Sequence, residues 1–314
     1  MVVHKLWVEK YRPSRIEDYV WADAAQKSQV MTWIKEKHLP NILLSGSPGI
    51  GKTTLAKCLL NELNVHSSDI RYVNGSHTNG VDDIRSLSGF AETMPSGDFR
   101  YVVLDEADFL SGNAQAALRN MIEEYTSICR WILTCNFPNK ILPALKSRTQ
   151  GFHIETLDKE QFLTRIANIL MAENVELTEE NLEVLDEYAI TTYPDLRKCI
   201  NLLQQNCSEG KLNRPSKGSS NSSSEYMVNV VGLFKQNKIH EARKLICTNA
   251  RLEEYEDLYR LLYRNLQWWG KTEQQQNQAV VIIANRLRDH SMAADAEINM
   301  SACLIELAMI ANEK

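Results

Sequence analysis

The chain has 314 residues, 44% of them hydrophobic, so it is long enough for two or three domains and apolar enough to give each a core. Its net charge of −5 excludes a protein that coats nucleic acid by overall attraction; any such contact needs a local patch. Seven cysteines stand singly (Cys58, Cys129, Cys135, Cys199, Cys207, Cys247, Cys303), with no Cys-x-x-Cys pair. That pattern argues against a cysteine-built zinc site and for reduced thiols in a cytoplasm-like compartment. The opening MVVHKLWVEKYRP lacks a long apolar core, and no apolar run reaches ~18 residues, so neither a signal peptide nor a membrane span is expected.

In chain order, Asn41–Ser45 (NILLS), Ile70–Val73 (IRYV), Tyr101–Leu104 (YVVL) and Trp131–Cys135 (WILTC) are short β-branched or aromatic runs that read as buried strands. Helical patterns separate them. Leu55, Leu59 and Leu63 recur every fourth residue, and Ala114, Ala117, Leu118, Met121 and Ile122 form one apolar stripe. Strands alternating with helices predict a parallel sheet covered on both faces, an α/β fold. From about residue 156 the strands stop, and Phe162, Ile166, Ile169 and Leu170 begin a helical series running to about Cys207. Glu209–Ser224 is rich in Ser, Gly, Asn and Pro and is expected to be a linker or exposed loop. Residues 225–314 read as helical throughout. The expected organisation is therefore 1–155 α/β, 156–208 small helical, 209–224 linker and 225–314 all-helical.

Gly46–Thr53 reads GSPGIGKT, a phosphate-binding loop that follows a strand and opens a helix. The run Gly46, Ser47, Pro48, Gly49, Ile50, Gly51, Lys52, Thr53 and Thr54 is the candidate ATP cradle. Backbone N–H groups of Gly49, Gly51 and Lys52 face phosphates, and the helix N-terminus adds positive potential. Lys52 supplies a cation to the β- and γ-phosphates and Thr53 a hydroxyl to Mg²⁺. On the strand at 101–105, Asp105 is placed to hold Mg²⁺ through its water shell, and Glu106 to act as general base toward water. The letters Asp-Glu-Ala-Asp at 105–108 are incidental on this reading, because a helicase with that signature needs a second strand-containing domain. Asn136, just past WILTC, is placed to reach a γ-phosphate or the attacking water.

Taken together, these segments resemble an AAA+ ATPase and, more narrowly, a clamp-loader subunit. WVEKYRPSRIEDYV, DEAD, AQAALRNMIEEYTSICRWILTCN, LPALKSRT and YPDLRKCINLLQ are similar to replication factor C small subunits and to the large subunit of T4-like phage clamp loaders. The resemblance covers residues 5 to about 207. It implies a P-loop AAA+ domain, a helical lid and an all-helical C-terminal collar. By the same resemblance Tyr11, Arg12 and Pro13 pack near adenine, with an N-terminal anchor as the competing reading, and Asn136 is the first sensor. KSRT matches a Ser-Arg-Cys motif with Thr149 in place of Cys, making Arg148 an arginine finger for a neighbouring subunit. PDLRK matches a second sensor, making Arg197 a γ-phosphate contact unless it is a helix-surface residue.

The resemblance further implies that Ile84, Arg85 and Asn113, at two helix starts, follow a DNA backbone. An Arg85 pair with the neighbouring Asp82 or Asp83 is the alternative. Gln115 and Arg119 either link that face to the ATP site or make core-edge hydrogen bonds. Phe90 and Met94 in LSGFAETMP dock on a sliding clamp or belong to the domain core. Implied partners are the clamp, primer–template DNA and other clamp-loader subunits, as a homo-oligomer with a distinct subunit, pentameric, and no membrane. The implied location is the cytoplasm, the host cytoplasm if viral, or the nucleus if eukaryotic. Two rival readings are a branch-migration motor, which needs a winged-helix domain, and a non-hydrolysing scaffold subunit, which loses the loop lysine or the acidic pair.

Overall fold

The computed structural model describes residues 6–215 and 225–312. Five strands, β1 (Ile42–Ser45), β2 (Ile70–Asn74), β3 (Arg100–Asp105), β4 (Cys129–Cys135) and β5 (Gln150–His153), form one sheet in the order β2-β3-β4-β1-β5. Every neighbouring pair is parallel. Side chains alternate between two buried layers. Ile42, Leu44, Tyr101, Val103 and Ile132 pack with Leu55 and Leu59 of the helix Lys52–Glu62 and with Val30 and Trp33 of the helix Ala24–Lys35. Leu43, Val102, Leu104, Trp131 and Leu133 pack on the opposite face with Ile84, Ala114, Leu118 and Met121. Burial on both faces is why the central strands read as continuous apolar runs instead of alternating ones.

The edge strand β5 is not among the strands expected from the sequence, the last of which is Trp131–Cys135. Of its four residues only Phe152 is buried, so nothing in QGFH stands out from a loop.

The chain divides into two compact units. The first runs through Arg165 and is joined by Pro194–Lys198; the second comprises Ile166–Tyr193 and the chain from Cys199 onward. The return of Pro194–Lys198 to the first unit carries Asp195 and Arg197 with it. In the second unit, the helices Glu225–Lys235, Ile239–Asn249, Tyr255–Arg264, Glu273–His290 and Ala296–Asn312 enclose a core containing Leu258, Tyr259, Trp269, Leu304 and Leu307.

Cys207–Ser208 pairs antiparallel with Lys211–Leu212. The two turn residues, Glu209 and Gly210, have φ of 51° and 72°, the positive pair that a tight hairpin requires. The expected linker therefore opens on a hairpin, and its residues 216–224 lie outside the described residues.

Candidate active site

The carboxyl ends of β1, β3 and β4 converge, the position where open parallel sheets present a ligand crevice. The loop Gly46–Gly51 leaves β1 there. Gly49 and Gly51 have φ of 76° and 102°, which residues with a Cβ rarely adopt. A Cβ on Gly49 would also stand 1.9 Å from Asp195 Oδ1, so the loop and the Pro194–Lys198 segment approach backbone to side chain. Ser47 and Pro48 are exposed at the loop's tip. Tyr19, which the sequence reading did not single out, supports the loop from below. Its hydroxyl donates to the Ile50 carbonyl at 3.4 Å, and burial pushes its pKa well up.

Lys52 opens the following helix and is 8% exposed. Its ammonium donates to the Gly46 carbonyl (2.9 Å), the Ser47 carbonyl (2.8 Å) and Asn136 Oδ1 (2.7 Å). Loss of hydration lowers the pKa of Lys52. Cys135, Asp105 and Asp108 oppose the shift, whereas the cation of Arg197 reinforces it. Two cations thus bias one small crevice toward an anion.

The acidic strand end is held by a threonine. Asp105 Oδ1 accepts from Thr53 Oγ1 at 2.8 Å and from Thr134 Oγ1. The Thr134 hydroxyl also accepts the Glu106 backbone N–H at 3.0 Å. Glu106 has φ of 58°, and a Cβ on Gly75 would come within 2.6 Å of the Glu106 carbonyl oxygen. A non-glycine residue persists in that region only when its surroundings over-determine it, which is common at functional sites. Asp108 is buried beside them; its Oδ2 accepts the backbone N–H groups of Asn136 (3.1 Å) and Phe137 (3.0 Å), while Oδ1 has no hydrogen-bond partner among the described residues. The last letter of DEAD therefore fixes the turn that carries Asn136, a use the sequence reading missed. Thr134 was missed too; its signal was a lone polar residue at the carboxyl end of an apolar strand.

Thr53, Asp105, Glu106, Lys52 and Asn136 are thus brought together, with Arg197 close enough to act on Lys52. Arg148 lies elsewhere, just beyond the helix Pro143–Lys146, where it pairs with Glu123. Thr53 and Asp105 are oxygen donors suited to a hard divalent cation that keeps much of its water. Among the described residues no group of three His, Cys, Asp or Glu side chains is arranged to hold a metal.

Tyr11, Arg12 and Pro13 are half-buried. Their segment is stitched to the loop's helix: Cys58 Sγ donates to the Pro13 carbonyl (3.3 Å) and Asn61 Nδ2 to the Ser14 carbonyl (3.2 Å). Arg165 Nη2 donates to the Tyr11 carbonyl at 2.8 Å, and Arg12 pairs with Glu9 at 2.7 Å.

Of the residues expected to face DNA, Ile84 is fully buried in the core, so its side chain cannot serve as a contact. Its apolar character reflects the packed face of the short helix Val81–Arg85. Arg85 is 71% exposed and pairs with Asp82 at 3.5 Å. Arg85 and Asn113 line one open groove with Ser88 and Asn120. Gln115 is buried: its amide donates to the Leu110 and Lys140 carbonyls and accepts the Leu142 N–H. Arg119 donates to Asn120 Oδ1. Phe90 is half-buried under the Arg100 guanidinium, 4.6 Å from the ring centre, whereas Met94 is 79% exposed.

Residues 42–156 match the model of the ATPase family associated with various cellular activities (AAA). The replication factor C small subunit of Methanococcus vannielii is 32% identical over 83% of this chain and 80% of the relative. That of Sulfurisphaera tokodaii is 37% identical over 82% of this chain and 76% of the relative. The chain belongs to the replication factor C small-subunit family. The AAA match makes its first unit an ATPase domain, in agreement with the phosphate loop and the acidic strand end. Among solved structures, the RuvB Holliday junction branch migration motor of Thermotoga maritima superposes with a TM-score of 0.52 at 18% identity. The match spans 62% of this chain and 66% of that one, and it speaks for the shared AAA fold alone. Among the described residues no helix is long and apolar enough to cross a membrane.

Proposed function

We propose that this chain is an ATP-hydrolysing subunit of a sliding-clamp loader, opening the clamp and delivering it to primer–template junctions during DNA replication. The observation that carries the reading is the joined acidic end of β3. Thr53 and Thr134 converge on Asp105, and Thr134 also fixes the Glu106 backbone, at the mouth of a loop whose lysine touches Asn136. That is an arrangement for hydrolysis, and it favours an active subunit over a scaffold.

The placements support the following roles. Backbone N–H groups of Gly49, Gly51 and Lys52 bind the phosphates, and the Lys52 and Arg197 side chains neutralise their charge. Thr53 and Asp105 hold Mg²⁺, which when bound offsets phosphate charge. Glu106 orients and deprotonates water, and Asn136 aligns it. Tyr11, Arg12 and Pro13 close over the base. Arg148 acts on the nucleotide of an adjacent subunit in a pentameric assembly containing a distinct partner. The groove bearing Arg85 and Asn113 follows the DNA backbone, and Phe90 with Met94 meets the clamp.

The test is steady-state ATP hydrolysis by the assembled complex, alone and with primed DNA plus clamp. Stimulation by the pair together is expected. A rate indifferent to both would leave an AAA ATPase of another function, and a complete absence of turnover would favour the scaffold reading.

A further inference from the structure

We infer that Glu123 is the positioning residue for Arg148, presenting its guanidinium in a set orientation at the edge of the ATPase domain. The inference rests on the reading of Arg148 as the group that serves a neighbouring nucleotide. Glu123 stands in the last turn of the helix Gly112–Glu124, and Arg148 follows the helix Pro143–Lys146. Glu123 Oε1 accepts from Nε of Arg148 and lies in ion-pair contact with its Nη2. Nη1 donates to the Ala144 carbonyl at 2.8 Å and to the Ser147 hydroxyl at 3.1 Å. A guanidinium carries five N–H donors in a rigid fork. The hydrogen bonds engage Nε through Glu123 and Nη1 through Ala144 and Ser147, so the plane of the group is set and Nη2 keeps donor capacity for a phosphate.

The pair sits at the surface, with Arg148 32% and Glu123 49% exposed. An arginine on a free four-bond tether must lose its rotamer freedom at the moment it meets a phosphate. One that is already oriented loses little, and the difference appears in the rate of the step it assists. Surface ion pairs are individually weak, so Glu123 gives up part of its hold to a phosphate without opposing it strongly. Glu123 does not touch the phosphate loop of its own chain, so its influence is confined to the neighbour's turnover.

The experiment uses the reconstituted complex with Glu123→Gln, which keeps the side chain's shape and removes its charge. Because the Nη1 contacts survive, kcat is expected to fall roughly three- to tenfold, with the ATP KM and the thermal midpoint unchanged. In an Arg148→Ala background, Glu123→Gln should lower kcat no further; a purely structural role for Glu123 would lower it in both backgrounds. Glu123→Asp retains the charge with a shorter reach and should fall between wild type and Glu123→Gln. An unchanged or raised kcat in Glu123→Gln, with Arg148→Ala inactive, overturns the inference while leaving the role of Arg148 standing. If Arg148→Ala itself turns over at the wild-type rate, the role of Arg148 is refuted and the assignment of Glu123 falls with it.

Discussion

Replacing Thr134 by valine separates the support of the acidic strand end from its chemistry. The side chain is 1% exposed, and its hydroxyl joins two residues by donating to Asp105 and accepting the Glu106 N–H. Valine preserves the volume but strands that N–H and removes one of the two hydroxyls on the Asp105 oxygen. A buried donor left unpaired costs about 1–3 kcal/mol, and a hydrogen bond to a charged acceptor contributes about 1.5–3 kcal/mol. Because Thr53 still serves Asp105, a total near 2–4 kcal/mol is expected. Serine at the same position keeps the hydroxyl and loses one methyl, at about 1 kcal/mol. The effect on turnover should split more sharply. Without the Thr134 bond, Glu106 is no longer held at its positive φ, and a displacement near 1 Å costs up to about 10²-fold in rate. Thr134→Val should therefore lose at least tenfold in kcat, whereas Thr134→Ser stays within about threefold of wild type. Urea denaturation and single-turnover ATP hydrolysis on the same preparations measure both effects. A Thr134→Val protein that is destabilised as expected yet hydrolyses ATP at the wild-type rate would refute the claim that this hydroxyl positions Glu106.

Glu106→Gln should retain ATP-dependent binding to clamp and primed DNA while blocking hydrolysis, seen as a complex that persists on DNA; single-turnover rates near wild type would assign the base elsewhere. Gly49→Ala combines a strained φ of 76° with a Cβ 1.9 Å from Asp195, so a fluorescent ATP analogue should bind at least tenfold more weakly. Lys52 yields a pH prediction with a definite sign. Burial lowers its pKa below the usual 10.5, so the free protein gives up this proton at a lower pH than an ordinary lysine. ATP affinity should therefore decline as pH rises through that lowered pKa, with proton uptake on binding, visible by calorimetry in buffers of different ionisation enthalpy. Folding stability runs the other way: the charged lysine is penalised at low pH, and the penalty is relieved as pH rises through the folded pKa. An affinity that stays flat up to the ordinary lysine range would show that Lys52 is not the phosphate's cation.

What the sequence made legible follows from how tightly each role constrains residue type. The loop at 46–53 needs glycine where φ is positive and where Asp195 crowds Gly49, so its backbone demands appear as letters. The strands β1, β3 and β4 needed apolar residues on both faces and showed as unbroken runs; β2, expected to be buried, is an exposed edge strand, and β5 needed only Phe152 and did not show. Side chains whose work is to hold other groups leave weaker marks. Asp108 could have been one more solvated acid, and only the return of β4 beside β3 brings the Asn136–Phe137 backbone to it. Thr134 is an ordinary strand residue by type. Its hydroxyl acquires a purpose because the pairing of Val103 with Ile132 and Leu104 with Leu133 carries it level with Asp105. Ile84 failed in the opposite sense: its place at a helix start suggested a contact, while its apolar side chain already belonged to the core. Residues that meet a ligand are thus readable from local spacing when backbone shape restricts them. Residues that set the positions of those groups depend on strand register, which couples positions 28 or more apart in the chain and leaves no local pattern to read.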